Sequence, residues 1–154
     1  ANLMATLGRL WLFTEAFGPG LRWTSLVLES ELLPPARRAN VLVTHAALLH
    51  QSAGPAVGEL VEEAVQELAL AGDDVGLVEA LILWVIVQHL NGELEESART
   101  AVRLIELARD AAPQHLPEAL STFAVTLAAL GRLEEANATA QEAWELVPAA
   151  PSAT

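Results

Sequence analysis

Four histidines, His45, His50, His89 and His115, are the residues of this chain with the chemistry for metal ligation or proton transfer. His45 and His50 stand five apart, off the i,i+4 face that a helical metal site uses. His50 aligns with Trp11 and Leu127 in the repeats described below, so it is expected to be a hydrogen-bonded packing residue. No His-Glu-x-x-His, Gly-x-Ser-x-Gly or Gly-x-Gly-x-x-Gly run occurs, and Gly18-Pro19-Gly20 follows no strand, so it reads as a turn rather than a phosphate loop. There is no Cys, which removes disulfides, thiolate zinc, iron–sulfur clusters and a thiol nucleophile. Adjacent carboxylates recur at Glu62-Glu63, Glu95-Glu96 and Glu134-Glu135. General acid–base work needs carboxylates held in a cleft with separated pKa values. Consecutive Glu early in a helix instead reads as a solvated first turn, favoured by the helix dipole. Glu95 and Arg99 are placed to pair at i,i+4, for about 0.2–0.5 kcal/mol. The chain therefore reads as no enzyme, with no catalytic residue, no metal ligands and no cofactor.

The elements that carry these residues follow from composition. The chain has 154 residues, of which 29 Ala and 28 Leu are strong helix formers, with no Tyr and 3 Phe. This predicts an all-α class in a single domain's length. Net charge is −12 and uneven. Residues 1–58 hold four Arg against three Glu, and residues 59–154 hold four Arg against 17 acids. An acidic body repels phosphate backbones, so direct nucleic-acid contact by this chain is not expected. The most apolar run, Ala80 to Val87, falls far short of the ~20 residues a bilayer requires. No membrane span and no signal peptide are read, and a cytoplasmic setting is expected.

Internal repeats organise the rest. HAALLHQSAGP from His45, WVIVQHLNGEL from Trp84 and FAVTLAALGRL from Phe123 align, each an apolar helical stretch meeting Gly54, Gly92 or Gly131. A further copy, LGRLWLFTEAF from Leu7, has Glu15 in place of the Gly. The copies step by 38–39 residues. Each Gly reads as a helix stop in the left-handed conformation. First helices are predicted near 1–15, 35–52, 74–91 and 115–130, and second helices near 20–33, 56–71, 93–111 and 133–147. Breaks fall at Pro34-Pro35, at Gly72-Asp73-Asp74 and at Pro113 through Pro117, with Asp73 or Asp74 as an N-cap. The units run at about 1–34, 35–72, 73–113 and 114–150. Trp11, Trp84 and Trp144 lie on apolar helical faces and are expected in the core. Trp23 is expected to pack between adjacent units.

The pattern resembles the tetratricopeptide repeat. The residues that carry the resemblance are Leu7-Gly8 with Trp11, Phe17 and Gly20; Gly92, Leu94 and Glu95-Glu96-Ser97; and Gly131, Leu133, Glu134-Glu135-Ala136, Ala143 and Pro148. The period exceeds that family's ~34 residues, so helices or connections are longer. The period, PARRANVL and EAFGPGLRW are more specifically similar to the helical-repeat regions of large, mostly actinobacterial transcriptional regulators. These include the Streptomyces antibiotic regulatory protein type and the LuxR-type with an ATPase module. The resemblance implies an α-α superhelix of four helix–turn–helix units, excised from a longer protein whose DNA-binding module lies elsewhere. It implies a non-catalytic sensing and interaction domain that binds a protein, a peptide or an apolar small-molecule signal. The alternative is a structural adaptor unrelated to transcription.

In repeats of this family the first helices line an inner groove. Carried over by alignment, the groove positions are Arg9, Leu12 and Phe13; Thr44, Leu48 and Gln51; Ile82, Ile86 and His89; and Ser121 and Val125. Either these residues line an open groove, or the longer units close it and make them core. The first helix presents Leu3, Met4, Leu7, Leu10, Trp11 and Phe13, apolar on more than one side, which leaves open self-association as a homodimer.

Overall fold

A computed structural model describes residues 3–30, 32–53 and 57–147, leaving aside the side chains of residues 3–6, 9 and 53. The described residues form eight α-helices and no strand. They are α1 (Leu3–Phe13), α2 (Phe17–Glu29), α3 (Pro35–Ala53), α4 (Gly58–Ala71), α5 (Asp74–Leu90), α6 (Leu94–Ala111), α7 (Leu116–Ala129) and α8 (Leu133–Leu146), with one 3₁₀ turn at Pro113–His115 before α7. The sequence-based boundaries agree to within a few residues, except that Gly18-Pro19-Gly20, read as a turn, forms the first turn of α2, where a proline needs no N–H partner.

The helix stops recur with the same backbone chemistry. Gly92 and Gly131 take φ values of 81° and 76°, and Glu15, at the aligned position, takes 55° although it is no glycine. The next residue then donates its N–H back to a carbonyl five residues earlier. Ala16 donates to Trp11, Glu93 to Gln88 and Arg132 to Leu127, each at 2.9 Å. This closes orphan carbonyls at each helix end. The three acceptors occupy one aligned position, so the equivalence read from sequence extends to the hydrogen bonds. Gly54 lies outside the described residues. Gly72, at φ 66°, closes α4 in the same way, through Asp73 donating to Leu68 at 3.1 Å. Asp73 is the N-cap of α5, its Oδ1 accepting from Gly76 N–H at 3.0 Å. Its other oxygen accepts from Asn40 Nδ2 at 2.9 Å, tying α5 to α3.

Each helix packs on the next along the chain, and first helices also pack on first helices: α1 on α3, α3 on α5, and α5 on α7. Second helices meet one another only marginally, through long side chains such as the exposed Arg109–Glu142 pair of α6 and α8. The core follows the row of first helices. α5 buries Leu77, Val78, Leu81, Val85 and Val87, flanked by Val41 and Leu42 of α3 and Ala119 and Leu120 of α7. Small residues set the closest approaches. A Cβ on Gly20 would lie 2.9 Å from Leu48 Cδ1 and 3.1 Å from the Trp11 ring. Ser97, at the position aligned with Gly20, donates or accepts across three helices, reaching the Val85 carbonyl at 3.0 Å and Thr126 Oγ1 at 3.1 Å.

The tryptophans divide. Trp84 packs against two core clusters, as read from sequence, whereas Trp11 is half-buried beside Gly20 and joins neither cluster. Trp144 is 75% exposed and Trp23 60% exposed, against expectation. Each lies on a second helix at a position that no neighbouring helix covers. Arg99 pairs with Glu96 at i,i+3 rather than with Glu95.

Candidate binding groove

Two adjoining depressions run along the first helices. The larger, about 380 Å³, is lined by Gly8 and Leu12 of α1, Val43, Thr44 and Ala47 of α3, Glu79 and Ile82 of α5, and Gln114, His115 and Glu118 at the start of α7. The smaller, about 230 Å³, shares Leu12, Val43, Ala47, Glu79, Ile82 and Glu118 and adds His50, Gln51, Leu83 and Ile86. The shared residues make them one groove. Its lining mixes aliphatic side chains with carboxylates, amides and imidazoles, and His115 and Thr44 are as deeply buried as Val43 and Ile82.

Of the positions carried over by alignment, Leu12, Thr44, Gln51, Ile82 and Ile86 line this groove. Leu48 does not. It is fully buried, because α2 closes on α3 at Gly20 and leaves the Leu48 side chain in the space of the absent Cβ. Phe13 is 91% exposed and Val125 58% exposed, and neither borders the groove. Ser121 is exposed, with its hydroxyl donating to the Pro117 carbonyl at 2.8 Å. His89 faces the α6–α7 seam, with Nδ1 3.4 Å from Thr126 Oγ1. The Arg9 side chain lies outside the described residues.

Sequence alignment missed Gly8, Val43, Ala47, His50, Glu79, Leu83, Gln114, His115 and Glu118. The lining moves back along the helix from unit to unit: the middle and end of α3, the first half and middle of α5, and only the first turn of α7. A fixed repeat position therefore cannot follow it. No single residue encodes that shift.

His115 is the most enclosed titratable group of the groove. It is 5% exposed, with Nε2 3.6 Å from Glu79 Oε1 and Nδ1 3.8 Å from Glu118 Oε2. Both distances exceed a hydrogen bond, and the ring sits between two carboxylates. His50 differs from the sequence reading. Its Nδ1 is buried and has no hydrogen-bond partner among the described residues, and its ring borders the groove. Among the described residues no group of three His, Cys, Asp or Glu is placed to hold a metal ion. Among the described residues no helix is long and apolar enough to cross a membrane.

His45 is not in the groove. Its Nδ1 lies 2.7 Å from Thr24 Oγ1, and burial pushes its imidazole below the usual pKa. On the outer side, Arg38 is shared between Glu63 at 2.8 Å and Glu67 at 3.0 Å. The hydrogen bond to Glu63 raises its already high pKa.

The chain matches no protein-family model and no curated protein. All-α architecture is the class that fold and groove define.

Proposed function

We propose that this chain is a tetratricopeptide-like superhelix of four helix–turn–helix units that holds a protein segment, a peptide or an apolar small molecule along its first helices. One observation carries the reading: a continuous depression crosses α1, α3, α5 and the start of α7, lined by aliphatic and polar side chains together. A lining of this kind suits an amphipathic ligand. The recurrence of the same helix stop at Glu15, Gly92 and Gly131 supports the repeat reading. The role as the sensing domain of a bacterial transcriptional regulator rests on sequence resemblance alone. A structural adaptor is the competing assignment.

Selection of phage-displayed peptides on the immobilised chain, with Ala47→Trp as counter-target, tests the groove. Ala47 borders both depressions, and an indole there fills them. Enriched peptides that bind the parent chain and not the variant support the proposal. Peptides that bind both equally, or no enrichment, overturn it. Sequencing the flanking coding region separates regulator from adaptor, since the former calls for a DNA-binding or nucleotide-binding module in the same reading frame.

A further inference from the structure

We propose that the occupant of the groove is a basic amphipathic peptide segment, which seats a lysine or arginine side chain between His115 and Glu118 and aliphatic side chains beside it. This narrows the function proposed above and rests on it. His115 carries the assignment. It is 5% exposed, it lines the larger depression, and neither ring nitrogen has a hydrogen-bond partner among the described residues. Nε2 faces Glu79 Oε1 at 3.6 Å, and Nδ1 faces Glu118 Oε2 at 3.8 Å. A neutral imidazole has one N–H and one bare nitrogen. With the proton on Nε2, toward Glu79, the bare Nδ1 stands opposite Glu118. Two acceptors then face each other, and no donor of the described residues lies between them. Such a pair calls for a donor from outside the chain.

The surroundings favour a cationic donor. Glu79 and Glu118 line the groove and no arginine does so among the described side chains, in a chain of net charge −12. An ammonium or guanidinium can donate to the imidazole nitrogen and the carboxylate at once, and charge strengthens both bonds. Glu79 takes part in a further interaction, so the charge of the entering group is assigned to Glu118. The Glu118 carboxylate is 61% exposed and makes no hydrogen bond among the described residues. The rest of the groove suits a peptide better than a lone amine. The smaller depression adds His50 and Gln51, and the buried His50 Nδ1 has no hydrogen-bond partner among the described residues. A peptide backbone presents N–H and C=O groups at every residue. One occupant can therefore reach His50 while its cationic side chain reaches Glu118. Leu12, Val43, Ala47 and Ile82 border both depressions and give its aliphatic side chains apolar contacts.

Selection from a random dodecapeptide library on phage tests this, with the parent chain as target and Ala47→Trp as counter-target. Fluorescence anisotropy of the synthetic peptides then measures their affinity. Enriched peptides are expected to carry Lys or Arg among aliphatic residues. Their binding is expected to weaken about 10-fold in Glu118→Gln and in His115→Phe, which keeps a ring and removes both nitrogens. Glu106→Gln removes the same charge from an exposed position of α6 outside the groove, and is expected to weaken binding by less than about 2-fold. Far-UV circular dichroism checks folding. Where His115→Phe loses helicity, Glu118→Gln, at an exposed side chain, decides alone. Groove-dependent peptides without a basic residue would overturn this inference and leave the groove standing. Equal weakening by Glu118→Gln and Glu106→Gln, or a folded His115→Phe that binds like the parent chain, would do the same. No groove-dependent peptide at all would overturn both proposals.

Discussion

The Thr24 hydroxyl and the His45 ring meet at 2.7 Å, joining α2 to α3. Thr24 Oγ1 also lies 2.9 Å from the Gly20 carbonyl, which can only accept. A hydroxyl has one proton, so either it donates to the Gly20 or Leu21 carbonyl and accepts from His45 Nδ1–H, or it donates to His45 Nδ1, according to the imidazole tautomer. Thr24→Val keeps the shape and leaves His45 Nδ1 without its hydroxyl partner in either case. A loss on the order of 1–3 kcal/mol is expected from urea denaturation, with Thr24→Ser close to the parent chain.

The same histidine gives stability a pH dependence of defined sign. Burial lowers the folded-state pKa of His45. Above the unfolded value of about 6.5 the ring is neutral in both states and contributes no slope. As pH falls through that value the unfolded chain takes up a proton first, and stability drops until the folded pKa is passed. Urea midpoints of the parent chain are expected to fall more between about pH 7.5 and about pH 5 than those of His45→Gln. Equal changes in the two proteins would remove His45 as the cause.

Glu15 and Gly92 hold one backbone conformation with different side chains. Nothing within 4 Å would obstruct a Cβ on Gly92, so substitution there costs backbone strain alone. Gly92→Ala is expected to destabilise by about 1 kcal/mol, and Glu15→Gly to stabilise by up to a similar amount. Paired thermal melts check both, and a stabilising Gly92→Ala would contradict the left-handed assignment.

Leu48 and Gln51 are neighbours on α3 with opposite surroundings, one interior and one on the groove rim. Leu48→Ala is expected to cost about 2–5 kcal/mol. Gln51→Ala is expected to stay within about 0.5 kcal/mol. Chemical denaturation separates them, and similar costs would mean that Leu48 is not the interior residue described.

These contrasts show what sequence could and could not supply. Helix limits were legible because Gly92, Gly131, Pro35 and the Asp73 cap act locally, through φ angles and hydrogen bonds a few residues long. The alignment of Glu15 with glycines was legible for the same reason. Trp144 was not, because an apolar stripe reads identically whether or not another helix covers it. Leu48 was assigned to the groove because alignment cannot show how deeply α2 sinks at Gly20. His115, Glu79 and Glu118 come together only through the slant of successive units, which depends on every contact between them. Five of the aligned groove positions line it, so roughly the middle of the site was readable and its α7 end was not.

The nearest-neighbour packing of the helices also sets how the chain acquires its structure. Contacts join each helix to the next one or two, so few loops are long and each closure sacrifices little chain entropy. Topologies with such local contacts fold quickly compared with sheets of distant strands. Stability then accumulates seam by seam. α5, buried along most of its length and touching α3, α4, α6 and α7, gives folding its natural starting point.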